Sequence, residues 1–203
     1  MKFGAAEGGS DMVDGTVSNT AGVLLLALEP SPAVLLVLNR AEEVPQSDGM
    51  VFSKPRMWGI PKGRSKVQDE DVAGIALREF YEETGIKLDR ALVGKRTPVF
   101  EDVPSLRPGS DRHRKTFFLA ILGQAPTIGK PIDEKIEQVR WFSLGNLPSC
   151  GKIFFGATLA KSHARLMADL FIGSFYELEG LGIRVMEALM DIQPPPDKDE
   201  DMS

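Results

Sequence analysis

The hydrophobic pattern changes character along the chain. Val23–Leu28 and Val34–Asn39 are short, nearly unbroken apolar runs separated by Glu-Pro-Ser-Pro. The prolines favour a turn, so the runs read as two strands of one sheet, buried on both faces. Residues 41–57 show no period and read as a long loop, broken by Pro45, Ser47-Asp48-Gly49 and Pro55. A short strand over Trp58–Ile60 leads to a tight turn at Pro61-Lys62-Gly63. The spacing of Ala73, Ala76, Leu77, Phe80 and Thr84 then predicts a helix over 71–84. Asp69 or a neighbouring acid is placed to cap its start, and Gly85 to end it in a left-handed conformation.

Strand-like segments follow at Ala91–Phe100, Lys115–Leu122 and Gln138–Phe142. The first two are joined by a loop over 102–114, and the last two by one over 123–133. Ser143–Pro148 suggests a helical turn. Residues 157–171 and 173–191, rich in Leu, Met and Ala, read as two helices. Residues 1–18 are small and polar, and 193–203 are acidic and proline-rich; neither can bury enough apolar surface to fold. The expected organisation is a flexible lead over 1–18, a domain over 19–150, helices packed on it over 151–192, and a disordered tail over 193–203.

Composition narrows the setting. A chain of 203 residues with 42% hydrophobic content suits one core and no spanning segment, since Ala21–Leu28 is only strand-length. The net charge of −5 argues against a general nucleic-acid-binding surface. One cysteine, Cys150, excludes an internal disulfide, and two histidines far apart supply no Cys/His metal spacing. A cytoplasmic location fits the cysteine usage.

The chemistry is carried by Arg78-Glu79-Phe80-Tyr81-Glu82-Glu83. At about 100° per residue, Glu79, Glu82 and Glu83 share one side of the helix, at the edge of its buried face. Three clustered carboxylates repel one another unless their pKa values rise or a cation lies between them, and hard oxygen donors select Mg²⁺ or Mn²⁺. Arg78 pairs with Glu82 one turn on, and Glu70 compensates Arg78. A charge run by itself is more often a solvated helix face.

Gly63, Glu70, Arg78, Glu79, Phe80, Glu82, Glu83, Gly85 and Ile86 resemble the Nudix box of the Nudix hydrolase superfamily. The match departs at one place, where six residues rather than five separate Gly63 from Glu70. The resemblance implies an α/β/α sandwich around a mixed sheet, here with added C-terminal helices. It also implies metal-dependent hydrolysis of a nucleoside diphosphate linked to another group. Glu79, Glu82 and Glu83, with a backbone carbonyl at Gly63, would then hold the metal, and Arg78 would orient them. The general base stays open among Glu79, Glu82, Glu134 and Glu137.

Basic residues gather around the turn (Lys54, Arg56, Lys62, Arg64, Lys66) and ahead of a later strand (Arg107, Arg112, His113, Arg114, Lys115). They suggest an anionic substrate, with Lys62, Arg56 and Arg114 as phosphate contacts and Trp58 either stacking on a base or packing in the core. Trp58-Gly59-Ile60-Pro61-Lys62-Gly63 followed by the box is similar to family members that cleave dinucleoside polyphosphates, inositol pyrophosphates or an RNA 5′ end; the resemblance implies a nucleoside or dinucleoside polyphosphate first, with inositol pyrophosphates and a capped or triphosphorylated RNA 5′ end as further partners. Oligomerisation is left open. Two other classes compete: a non-catalytic nucleotide sensor, which a degraded box would favour, and a diphosphate isomerase, which needs a core cysteine where Cys150 stands in a Gly/Pro context.

Overall fold

The computed structural model describes residues 18–45, 50–66, 70–94, 98–103, 113–147 and 157–184. The expectations for the lead, the tail, Cys150 and Asp69 lie outside these residues, except that Ser18 begins the first strand.

Strands β1 (Ser18–Glu29) and β2 (Ala33–Asn39) form at the two apolar runs and pair antiparallel. Their continuity follows from burial on both faces. Alternate residues of β1 enter two cores, Leu24 and Leu26 on one side, Val23 and Leu25 on the other. Each fully buried leucine contributes about 1.5–3 kcal/mol.

The 41–57 segment differs from the expected loop. β3 (Glu42–Pro45) and β4 (Val51–Lys54) pair as a small separate sheet. β4 is exposed throughout, so no buried face imprints an alternation on it. β5 (Met57–Gly59) pairs with β2. The expected tight turn at Lys62 is instead strand β6 (Lys62–Arg64), antiparallel to β1, with Gly22 opposite Lys62.

Helix α1 (Val72–Thr84) forms where its period predicts. Asp71 caps it, accepting from the Gly74 amide at 3.0 Å, and Gly85 closes it at φ 69°. Asp89 caps a second short helix, α2 (Arg90–Val93), which replaces the start of the strand expected from Ala91. The strand itself, β7 (Val99–Val103), begins later. β8 (His113–Gln124) runs parallel to β1, and β9 (Ile136–Ser143) pairs with β2. A 3₁₀ turn covers Leu144–Asn146.

The first expected C-terminal helix starts late. Thr158–Leu159 is a strand, β10, parallel to β5, and α3 (Lys161–Gly173) follows. Helix α4 (Phe175–Gly180) is a short piece of the long second helix expected; residues beyond 184 lie outside the described ones.

Among the described residues, eight strands make one mixed sheet with the path β10-β5-β2-β1-β8-β7; β6 joins β1 and β9 joins β2. Ile75, Ala76 and Phe80 of α1 and Val93 of α2 pack on one face. Leu166, Met167, Leu170 and Phe171 of α3 and Leu178 of α4 pack on the other. This is the α/β/α sandwich, with the acidic helix on one outer layer and the C-terminal helices on the other. No helix among the described residues is long and apolar enough to cross a membrane.

Candidate active site

The site grows from the contact between α1 and β6. Glu79 and Glu83 lie one turn apart on α1, and each is only 6% exposed. Glu79 faces Gly63, where a β-carbon would stand 2.0 Å from its carboxyl carbon. Glycine is therefore required at 63 by close approach. The Lys62 amide donates to Glu83 Oε2 at 3.1 Å. Burial pushes the Glu83 carboxyl up to about 8, with Glu79 and Asp133 adding to the rise and Lys62 opposing it.

Arg78 is the organising cation. Its Nε donates to Glu70 Oε1 at 2.8 Å and Nη2 to Glu70 Oε2 at 3.1 Å, a bidentate pair. Nη1 donates to Glu79 at 2.6 Å and to Glu82 at 3.4 Å, and Nη2 also donates to the Arg64 carbonyl at 2.9 Å. One guanidinium thus ties three acids and the β6 backbone together, and Glu70 first, then Glu79, raise its pKa against the opposing effect of burial. Both sequence expectations for Arg78, the Glu82 pair and the Glu70 compensation, are present in the geometry. Glu82 is the most open glutamate of the three on α1, with a side chain 23% exposed, and also meets Lys66 Nζ at 2.6 Å.

The donor set suits a divalent cation in chemistry: carboxylate oxygens, one of them in a buried carboxyl whose pKa burial raises, and a β-carbon-free cradle at Gly63. As the side chains stand, no three His, Cys, Asp or Glu among the described residues converge in a metal-holding arrangement. Glu79 and Glu82 are turned onto Arg78 and Lys66 instead.

On the α3 side of the sheet lies a cavity of about 550 Å³. Among the described residues its cations are Arg40, Lys54, Lys62, Lys115 and Lys135 and its acid is Glu42. Glu42 pairs with Lys54 at 3.5 Å and Lys135 at 3.2 Å. Lys62 connects the two regions: its amide holds Glu83 and its side chain lines the cavity. Burial lowers the Lys62 pKa and Glu83 opposes that shift.

Arg56, Glu137 and Arg114 stand away from the lining of this cavity, and Trp58 takes the packing alternative of its two readings. Arg56 forms a two-bond ion pair with Glu137, which lowers the Glu137 pKa; each candidate, one for phosphate and one for the base, is engaged by the other. Trp58 is fully buried with its ring edge-on to Phe142 at 4.8 Å, so it backs the cavity wall and offers no face to a base. Arg114 is exposed on β8 and does not line the cavity, whereas its neighbour Lys115 does. Strand alternation could have separated these two, since Lys115 shares the parity of Phe117 and Leu119, which face α3. Glu134 and Glu137 line a second cavity of about 600 Å³ that shares Arg40 with the first. Sequence reasoning missed the α3 wall, Ser162 and His163; the signal was a histidine on the stripe of Leu166, Met167 and Leu170.

A mixed sheet between helices, with an arginine-tied acidic helix against a glycine strand, defines the class of protein. A family model described as the NUDIX domain matches residues 19–169, and the chain belongs to that family. It is 38% identical over 66 residues to the mRNA-decapping protein g5R of African swine fever virus (isolate Pig/Kenya/KEN-50/1950), a match covering 32% of this chain and 25% of that protein. A bifunctional NMN adenylyltransferase/ADP ribose pyrophosphatase of Francisella tularensis, complexed with AMP and a Mn ion, shares the fold. Its TM-score is 0.55 at 22% identity, over 78% of this chain and 42% of that one. So does a MutT/nudix family protein of Enterococcus faecalis, with a TM-score of 0.50 at 19% identity, over 95% of this chain and 70% of that one. The chain thus spans a quarter of the decapping protein and less than half of the Francisella chain.

Proposed function

We propose that this protein is a metal-dependent hydrolase that cleaves a pyrophosphate bond in a nucleoside diphosphate derivative, with nucleoside and dinucleoside polyphosphates as its substrate class. The observation that carries the reading is the junction at Lys62, where one residue joins the buried Glu79–Glu83 pair to a cavity lined, among the described residues, by five cations and one acid. Family membership supports the reaction type. The relative named for mRNA decapping supports including capped RNA among the substrates tested.

In this reading Lys54, Lys62 and Lys115 bind the phosphate chain and fix its register. Glu79 and Glu83, with the Gly63 backbone, would hold Mg²⁺ or Mn²⁺, which would supply screening of phosphate charge and polarisation of the attacking water and leave Glu82 free for proton transfer. Arg78 keeps the glutamates in place through Glu79 and Glu82 while Glu70 holds Arg78. Glu82, the most open of the three acids, takes the proton from water. Glu137 is the poorer candidate because it lines the second cavity, away from the one that Lys62 joins to the α1 glutamates, and is engaged by Arg56. We also propose that α3 and α4 belong to the same domain as the sheet, because α3 furnishes a wall of the cavity.

The test is incubation with nucleotides, dinucleoside polyphosphates, capped RNA and inositol pyrophosphates with Mg²⁺, separating products by chromatography. Turnover of a nucleotide-containing compound is expected. Selective turnover of a nucleoside-free inositol pyrophosphate would replace the substrate class.

A further inference from the structure

His163 sits in the first turn of α3 with its ring only 6% exposed. Its Nδ1 accepts the Ile60 amide hydrogen at 2.9 Å. The ring presses on Gly59, where a β-carbon would stand 2.5 Å from Nδ1, and meets Phe117 edge-on with centroids 6.1 Å apart. A ring nitrogen that accepts carries no proton, so in the neutral imidazole the proton is on Nε2. Burial, with Lys62 and Lys115 adding to it, holds the His163 pKa well below its ordinary value, so the ring is neutral at pH 7.

The tautomer is therefore set by the backbone, and Nε2–H is left to be used. Nε2 makes no hydrogen bond among the described residues. The one side-chain nitrogen sealed from solvent without a partner there is Trp141 Nε1. His163 Nε2 is not such an atom, and His163 lines the basic cavity. Lys62 and Lys115 line the same cavity and act electrostatically on the ring. Glu42, the acid of the lining among the described residues, is engaged with Lys54 and Lys135. The His163 neighbourhood thus combines a neutral N–H donor with cationic side chains, a chemistry suited to an anion.

We propose that His163 is a substrate-binding residue whose Nε2–H donates, alongside the Lys62 and Lys115 ammonium groups, to a non-bridging phosphate oxygen of the polyphosphate. This rests on the reading that the cavity holds the phosphate chain. It gives α3 a direct part in recognition: the helix brings a neutral donor between two cations, one that adds a directed hydrogen bond without adding charge repulsion.

Two isosteres separate binding from support. His163→Asn keeps an acceptor near the place of Nδ1 for the Ile60 amide and lacks the reach of Nε2. His163→Gln places an N–H near Nε2 and leaves the Ile60 amide unpaired. Calorimetric titration with inorganic tripolyphosphate, in EDTA so that no turnover intervenes, reads both alongside their melting temperatures. His163→Asn is expected to weaken tripolyphosphate about tenfold or more, the scale of a lost hydrogen bond to a charged group, with little change in melting. His163→Gln is expected to bind within about threefold of wild type and to melt lower, from the orphaned amide.

Wild-type affinity in His163→Asn, or the reverse ranking of the two variants, would overturn the proposal while leaving the polyphosphate cavity intact. Absence of tripolyphosphate binding by the wild-type protein would overturn both. If the variants fail to fold, ¹⁵N-histidine spectra of the wild type decide: a shift of the Nε2 resonance on adding tripolyphosphate supports the assignment, and an unmoved resonance in a saturated sample refutes it.

Discussion

The Glu79 carboxylate occupies the space into which any side chain at Gly63 would grow, with a β-carbon at 63 falling 2.0 Å from Glu79 Oε2. The strand and the acidic helix are thus mated through the absence of one methyl group. Gly63→Ala must push Glu79 off Arg78 or push β6 off β1. Overpacking of this kind costs about 1–3 kcal/mol, and loss of a positioned charge costs about 10²-fold in turnover. Gly123→Ala, where nothing lies within 4 Å of the added carbon, is the control and is expected to be near neutral in both. Turnover and urea unfolding of the two variants check this.

Glu83 sets a pH dependence in the metal-free protein. Its folded pKa, about 8, stands above the ordinary 4.5 because it is buried. The protonated form therefore favours the fold. That stability is fully present below 4.5 and is lost as pH rises through about 8, with a limiting slope of about 1.4 kcal/mol per pH unit. Glu83→Gln removes this loss. Unfolding in EDTA should show the variant gaining on wild type from about pH 5 to about pH 8, while its turnover with Mg²⁺ falls at least about 10²-fold. A pH-independent difference would contradict the burial argument.

His163 acts with the opposite sign. Its folded pKa lies well below 6.5, so the neutral ring favours the fold. That contribution is complete above 6.5 and is lost as pH falls below it. Wild type should therefore lose more stability than His163→Asn on going from about pH 7 to about pH 5. Denaturant titrations of both proteins at matched pH measure it.

The Arg56–Glu137 pair discriminates between candidate bases. Both groups are at the surface, and the pair is screened by water. Glu137→Gln should keep turnover within about threefold of wild type, whereas Glu82→Gln should lose about 10²-fold or more. Parallel kcat measurements decide, and equal losses would return Glu137 to the reaction.

What the sequence made legible is what short-range physics controls. The period of Ala76 and Phe80, an acidic cap (here Asp71) and Gly85 specify α1 by local rules, and the register of Arg78 with Glu82 follows from helix geometry alone. The continuous apolar runs announced β1 and β2 because both faces are buried. The rest depended on long-range contacts. β3 and β4 pair only with each other and leave β4 exposed, so no pattern marks them. Thr158–Leu159 is a strand because β5 lies beside it. The apolar Ala91–Val93 run is too short to carry a period, and Asp89 at the cap turned it to helix. Arg56 and Glu137 are 81 residues apart, and nothing local announces their pairing. His163 read as a lone histidine because its partner amide, Ile60, is 103 residues away.

Hydrolysis of a dinucleoside polyphosphate in ¹⁸O-labelled water with Mg²⁺, followed by mass measurement of the products, decides whether water attacks phosphorus at the α1 glutamates. One ¹⁸O is expected in a single phosphorylated product, formed by wild type, abolished by EDTA and reduced about 10²-fold or more by Glu83→Gln. Undiminished turnover by Glu83→Gln, or label-free products, would contradict that chemistry.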